Sequence, residues 1–257
     1  MQGAILFEPQ TVGSEVTAAN ISSCLGRGLP ELERDFTLWL PGRHGMIVAN
    51  GPSAVLAPFH RRGLIAVNGA LDLFRRRGCA PRYWVACDPG EVVAGFLKDP
   101  PRETVYLVAS KCHPSVFDAL EGRDVRVWHC LEEDSLPLFE RRAGVPGGIS
   151  VTLRTMELFR RFAGAQSFET WGWDASFGCG GIEHAVSQAP VASPRISVTV
   201  PGEGRYETTH QWAAEVDDAQ RQLREASYRV TVRGPGLMGA ALRALCLAPA
   251  SNDLLDR

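Results

Sequence analysis

Lysine is almost missing from this chain. Of 27 basic residues only Lys98 and Lys111 are lysines, so any phosphate contact is expected from arginine forks rather than from a P-loop lysine. Neither sign of charge dominates. A formal net charge of −2 over 257 residues argues against a dedicated nucleic-acid binder, which needs a strongly basic face. No apolar run reaches the roughly 18 residues of a membrane-spanning helix. The opening MQGAILFEPQ has no basic start and no long apolar stretch, so no secretory signal is expected. The seven cysteines (24, 79, 87, 112, 130, 179 and 246) are odd in number and never spaced Cys-x-x-Cys. That spacing excludes an ordinary structural zinc site, and reduced thiols in apolar runs around Cys87 and Cys130 suit a cytoplasmic protein.

What is present is ample apolar material. At 45% hydrophobic, the chain can bury one large core. Residues 1–44 read as a helical preamble, with helical spacing over 17–25 broken at Gly28-Leu29-Pro30. From residue 45 to about 250, short apolar runs alternate with amphipathic stretches, the pattern of βα units in one Rossmann-like domain. Strands are expected at 45–50, 64–68, 82–87, 104–109, 125–129 and 168–173, with helices at 53–62, 70–78, 114–121 and 149–163. Beyond these come a strand at 195–200, a charged helix over 208–226, a strand at 228–232, a helix at 234–245 and a frayed tail at 251–257. Near-continuous apolar strands predict a mostly parallel sheet with helices on both faces, an α/β fold.

In such a sheet ligands bind beyond the carboxyl ends of the strands. The residues expected there are Asn50-Gly51-Pro52-Ser53, Asn68-Gly69, Asp88-Pro89-Gly90, Ser110-Lys111-Cys112-His113 and Asp174. Asn50-Gly51-Pro52-Ser53 is neither Gly-x-Gly-x-x-Gly nor a Walker loop, which disfavours common NAD binding and P-loop hydrolysis. Gly51 suits a tight turn and Ser53 a helix cap, so a phosphate is expected on the amides of a helix start. A plain strand-to-helix turn has the same composition. Pro146-Gly147-Gly148-Ile149-Ser150 is a second turn of this kind, able to cradle another phosphate or a carboxylate. Asp88 is the candidate Mg²⁺ ligand, or a partner for a sugar or base. Asp174 and His184 flank a glycine-rich loop, as a base or phosphate partner would.

The strings GMIVANGPSAVLAP, LIAVNGALDLF, APRYWVACDP and GGISVTLRTMELFRRFAGAQSFETWGWDASF, followed by His184, resemble the MptE-like domain family. That family includes archaeal 6-hydroxymethylpterin diphosphokinase. It is distantly similar to family 42 sialyltransferases and to motility-associated flagellin glycosyltransferases. The resemblance runs over residues 17–245 and implies a nucleotide donor on a Rossmann-like sheet. It implies donor contacts from Asn50, Gly51, Pro52, Ser53, Asn68, Gly147, Gly148 and Ser150, with His184 as general base. In the diphosphokinase branch the donor is ATP with Mg²⁺, at Asp88 or Asp174, and the acceptor a pterin-like hydroxymethyl group. In the other branch the donor is a nucleotide-sugar such as CMP-sialic acid. The sequence departs at Thr170-Trp171-Gly172-Trp173-Asp174, where the usual aliphatic strand ending in Gly-x-Asp carries two tryptophans, and loop 176–181 lacks tyrosine. A nucleotide- or glycan-binding module without catalysis is the rival reading. The expected partners are a small-molecule donor and its acceptor, with self-association left open.

Overall fold

The computed structural model describes residues 12–32, 38–131, 144–186 and 194–247. The expected tail at 251–257 and the first part of the preamble, residues 1–11, lie outside them. In chain order the main elements begin with α1 (Ser14–Gly26), β1 (His44–Val48), β2 (Leu64–Val67), α2 (Ala70–Arg76) and β3 (Tyr83–Ala86). Next come β4 (Val105–Ala109), α3 (Pro114–Ala119), β5 (Asp124–Cys130), β6 (Gly144–Val145), α4 (Val151–Ala163) and β7 (Ser167–Trp171). An antiparallel hairpin of β8 (Arg195–Val200) and β9 (Gly204–Thr209) leads into α5 (His210–Glu225), β10 (Arg229–Val232) and α6 (Leu237–Leu247).

Eight strands form one sheet in the order β10-β7-β1-β2-β3-β4-β5-β6, and every described pairing in it is parallel. β2 and β3 are buried at every residue, as a parallel sheet covered on both faces requires. From β1 to β5 the chain steps in one direction, so right-handed crossovers put α2 and α3 on one face. From β6 it returns past the whole sheet to β7, on the far side of β1, and the same rule puts α4 on the opposite face. α4 packs there against β1 and β3. It is bounded as its sequence asks: Ser150 accepts from the Thr152 amide at 3.2 Å, and Gly164 closes it at φ 60°.

The preamble packs on this same core. Ile21, Cys24, Leu32, Leu38 and Leu40 are buried, and residues 30–32 run alongside β5, with the Leu32 amide bonded to the Val127 carbonyl at 2.7 Å. Among the described residues no helix is long and apolar enough to cross a membrane.

Two expectations need correction. The helix expected at 53–62 is a short 3-10 turn, Pro52–Leu56. Pro58 stops it: a residue before proline is pushed out of the helical region, and Ala57 sits at ψ 147°. The second concerns 204–209, where no strand is expected and the charged helix is expected to begin at 208. It is β9, paired with β8 around a turn whose Gly202 and Gly204 have φ 78° and 131°.

Candidate active site

Because β1 is flanked by β2 on one side and β7 on the other, the strand order reverses direction at β1. Loops leaving β1 and β7 diverge there, and a crevice opens beyond their carboxyl ends. The structure has a cleft of about 1130 Å³ at that place. Asn50, Gly51, Pro52 and Asn68 line it from the ends of β1 and β2. Asp88, Ser150, Asp174 and His184 line it from four further segments. Ser53 lies buried beneath, and Gly147 and Gly148 stand outside the lining.

Several amides of the two turns are engaged within the protein. In the first turn the Gly51 amide donates to Gly172 O at 2.7 Å, Ala54 to Gly51 O at 3.0 Å, and Ser53 to Asp174 Oδ2 at 2.7 Å. Pro52 has no amide hydrogen to offer. Ser53 is not a helix cap: its hydroxyl accepts from the Gly172 amide at 3.0 Å and donates to Arg233 O at 3.4 Å. This turn is therefore a staple between the ends of β1 and β7. In the second turn the Ile149 amide donates to Asp218 Oδ2 at 3.0 Å. A carboxylate of α5 already occupies the start of α4, and a Cβ on Gly148 would fall 1.6 Å from the same oxygen. Negative charge is favourable at a helix N-terminus, and here the protein supplies it.

The other candidates keep polar atoms for a ligand. Asn68 holds a left-handed backbone at φ 46°, rare outside glycine though tolerated by asparagine. Its carbonyl accepts from Trp84 Nε1 at 2.9 Å, while its buried Oδ1 has no hydrogen-bond partner among the described residues. A left-handed asparagine with a partnerless buried oxygen beside a cleft is a candidate ligand contact. His184 is half-buried, edge-on to Trp212 with ring centroids 6.3 Å apart, and hydrogen-bonds the Asn50 main chain. Burial pushes its pKa below the usual value, against the opposing pull of Glu183 and that hydrogen bond. The imidazole is thus neutral at pH 7, with one nitrogen left to accept a proton.

Asp88 is exposed and turns back on its own loop, accepting from the Gly90 amide at 2.7 Å. Among the described residues no three His, Cys, Asp or Glu side chains converge as a metal cluster. Mg²⁺ carried on substrate phosphates takes only one or two carboxylates from a protein, a demand Asp88 can meet.

Two walls of the cleft were not legible in the sequence. α1 closes one side: Asn20 Nδ2 bonds Pro89 O at 3.2 Å and Lys111 O at 3.1 Å, docking this helix over the ends of β3 and β4. α5 closes another with Gln211, Glu215, Asp218 and Arg221, which recur every three or four residues and so share one face. Glu215 accepts from Trp173 Nε1 at 2.6 Å, and burial raises its pKa against the hydrogen bonds from Ser150 and Trp173. That spacing was visible; which face of α5 meets the sheet was not.

With the crevice at the reversal point and α5 set against the start of α4, the fold has a counterpart among solved proteins. The fold is one that a glycosyltransferase also adopts. The structure of the MAf glycosyltransferase from Magnetospirillum magneticum AMB-1 superposes with a TM-score of 0.60 at 14% sequence identity, covering 92% of this chain and 42% of that one. The present chain therefore spans less than half the length of the MAf glycosyltransferase. No protein-family model matches the sequence, and no curated protein matches it.

On this MAf-like fold Asp174 acts as a crosslink. It is buried, Oδ2 takes the Ser53 amide, and Oδ1 is buried with no hydrogen-bond partner among the described residues. Burial raises its pKa, with the Ser53 hydrogen bonds opposing. The folded protein thus favours the protonated carboxyl. Between the ordinary and the raised pKa the native state binds more protons than the unfolded one, so stability falls as pH rises through that window. Asp174→Asn removes the charge and keeps an oxygen for Ser53. Its melting temperature should equal or exceed that of the parent at pH 7.5, with the difference closing towards pH 4. A variant that melts well below the parent at pH 7.5 would show that the ionised carboxylate is stabilising.

Proposed function

We propose that this protein is a nucleotide-dependent transferase moving a glycosyl group from a nucleotide-sugar to an acceptor hydroxyl. The observation carrying this reading is the left-handed Asn68 with its orphaned Oδ1, lining the same cleft as His184. Asn68 Oδ1 accepts a hydrogen bond from the donor nucleotide. Asn50, at the end of β1, borders the same space and hydrogen-bonds His184 through its main chain. His184 takes the acceptor's proton as the hydroxyl attacks the anomeric carbon and the nucleotide leaves with the bonding electron pair. The likeness of fold to the MAf glycosyltransferase supports this chemistry over others compatible with a Rossmann-like sheet. We also propose kinship with the MptE-like family, on the motifs GMIVANGPSAVLAP and GGISVTLRTMELFRRF.

Diphosphate transfer from ATP to a hydroxymethyl acceptor is the second reading, favoured by Asp88 on the cleft wall. There Mg²⁺ bound through Asp88 and the phosphates would neutralise charge on the transferring group. A thermal-shift series with CMP, UDP, GDP and ATP, with Mg²⁺ or with EDTA, separates the two. A ligand at about 100 times its Kd adds roughly 2.7 kcal/mol, a rise of about 5–10 °C for a chain of this size. The glycosyl reading expects CMP or UDP to give that rise in EDTA. A rise only with ATP and Mg²⁺ replaces it with the diphosphokinase reading, and no rise with any nucleotide removes both.

A further inference from the structure

His184 lines the cleft from the irregular stretch after β7, so no helix or strand fixes where its ring points. Its backbone is pinned next door, where the Ala185 amide donates to Asn50 O at 2.8 Å. The hydrogen bond from its ring to the Asn50 main chain decides which nitrogen carries the proton. One bond at one nitrogen still leaves the plane of the imidazole free to swing. Trp212 supplies a second restraint. The two ring centroids lie 6.3 Å apart with their planes at 82°, the edge-to-face arrangement that aromatic rings prefer. Trp212 lines the same cleft and is itself held. Its amide donates to Thr209 Oγ1 at 3.2 Å in the first turn of α5, and the Phe177 ring packs 5.0 Å from it. Phe177 is tied to the hairpin in turn: its amide donates to Glu207 O of β9 at 2.9 Å, and the Arg195 guanidinium of β8 lies 4.0 Å from its ring centroid. A stack of Arg195, Phe177, Trp212 and His184 thus runs from the hairpin to the cleft.

We propose that Trp212 is the positioning residue of His184: its indole fixes the plane of the imidazole and presents the proton-accepting nitrogen to the cleft. This rests on the reading of His184 as the base and adds what holds it. Trp212 acts only through the imidazole, and no reacting atom is assigned to it. A reacting group displaced by about 1 Å can cost about 100-fold in rate, so a ring free to swing is a poor base. The indole also keeps water from the imidazole. Glu183 pulls the ring's pKa the other way and stands 4.0 Å from Arg195. With the indole gone, water reaches the imidazole and its pKa returns towards about 6.5.

The test compares Trp212→Leu, which keeps apolar bulk, with Trp212→Phe, which keeps a flat ring. Each is made in the parent and in His184→Ala, with folding checked by circular dichroism. Should Trp212→Leu fail to fold, Trp212→Met, longer and apolar, takes its place. Trp212→Leu should lower kcat about 10–100-fold with donor KM within about threefold, and Trp212→Phe should recover most of the rate. In His184→Ala the same Trp212→Leu change should lower kcat by no more than about twofold, because no base is left to place. Titration of the His184 ring proton by NMR, assigned by its absence from His184→Ala, needs no turnover. Its midpoint should rise towards about 6.5 in Trp212→Leu and stay at the parent's value in Trp212→Phe. Folded Leu and Phe variants with equal kcat and equal midpoints would overturn the positioning role. So would a Trp212→Leu loss as large in His184→Ala as in the parent. A parent that turns over no nucleotide-sugar removes the transferase reading, and the titration then decides by itself whether Trp212 holds the ring.

Discussion

His184→Ala is expected to lower kcat at least about 100-fold while changing donor affinity little. Loss of a general base costs about 10²–10⁴ in rate, far more than loss of one half-exposed hydrogen bond. The pH profile gives an independent check. Burial holds the His184 pKa below its usual value of about 6.5, so the base is in its proton-accepting form throughout the neutral range. Activity should stay level as pH falls from 8 to about 6.5 and drop only below that. The same shift has a consequence for stability. An unfolded imidazole takes up its proton at higher pH than the folded one, so stability is lost as pH falls through about 6.5. In His184→Ala that acid-side loss should shrink. A purely structural histidine would reveal itself in a lower melting temperature, with residual activity following the folded fraction. A stable variant turning over within a few-fold of the parent would remove His184 as the base.

Gly51→Val is expected to destabilise the fold by about 3 kcal/mol, lowering the melting temperature by roughly 6–12 °C. The cause is close approach. Gly51 sits at φ −68°, an ordinary conformation for any residue, so the forbidden backbone that its place in a tight turn suggests is not the reason for glycine. A Cβ there would stand 2.5 Å from Gly172 O and 2.6 Å from Asp174 Oδ2, in the staple between β1 and β7. Gly172 O is backbone, and Asp174 Oδ2 is pinned by the Ser53 amide, so neither can give way as a free side chain would. Gly172 is held reciprocally: at φ 70° its Cβ would lie 2.4 Å from Ala49 O. Gly95→Ala is the control, since nothing lies within 4 Å of its Cβ, and it should change stability by no more than about 0.5 kcal/mol. Nucleotide binding is best read in Gly51→Ala at low temperature, where folded protein remains. A Gly51→Val protein melting within about 2 °C of the parent would mean that the two strand ends separate without cost.

Local chemistry determined the elements that the sequence made legible. Runs such as Leu64–Val67 and Tyr83–Ala86 are apolar at every position, which only a strand covered on both faces can use, so a parallel sheet and its strand-end loops followed. Asn50, Asn68, Asp88 and Asp174 could be placed at the sheet's carboxyl edge for the same reason, because each ends an apolar run. Glycine was legible as necessary but not in its cause: Gly51 and Gly172 are small because two strands distant in sequence meet there. What only the tertiary structure decided is where the charges go. Asp218 is separated from Ile149 by 69 residues, and no local pattern marks its carboxylate as the cap of α4. Ser53 looked like a cap for its own turn and instead joins Gly172, 119 residues away. Periodicity tells which residues share a face of a helix or strand. Which amides are already satisfied, and hence which groups remain for a ligand, depends on contacts between segments that no local period encodes.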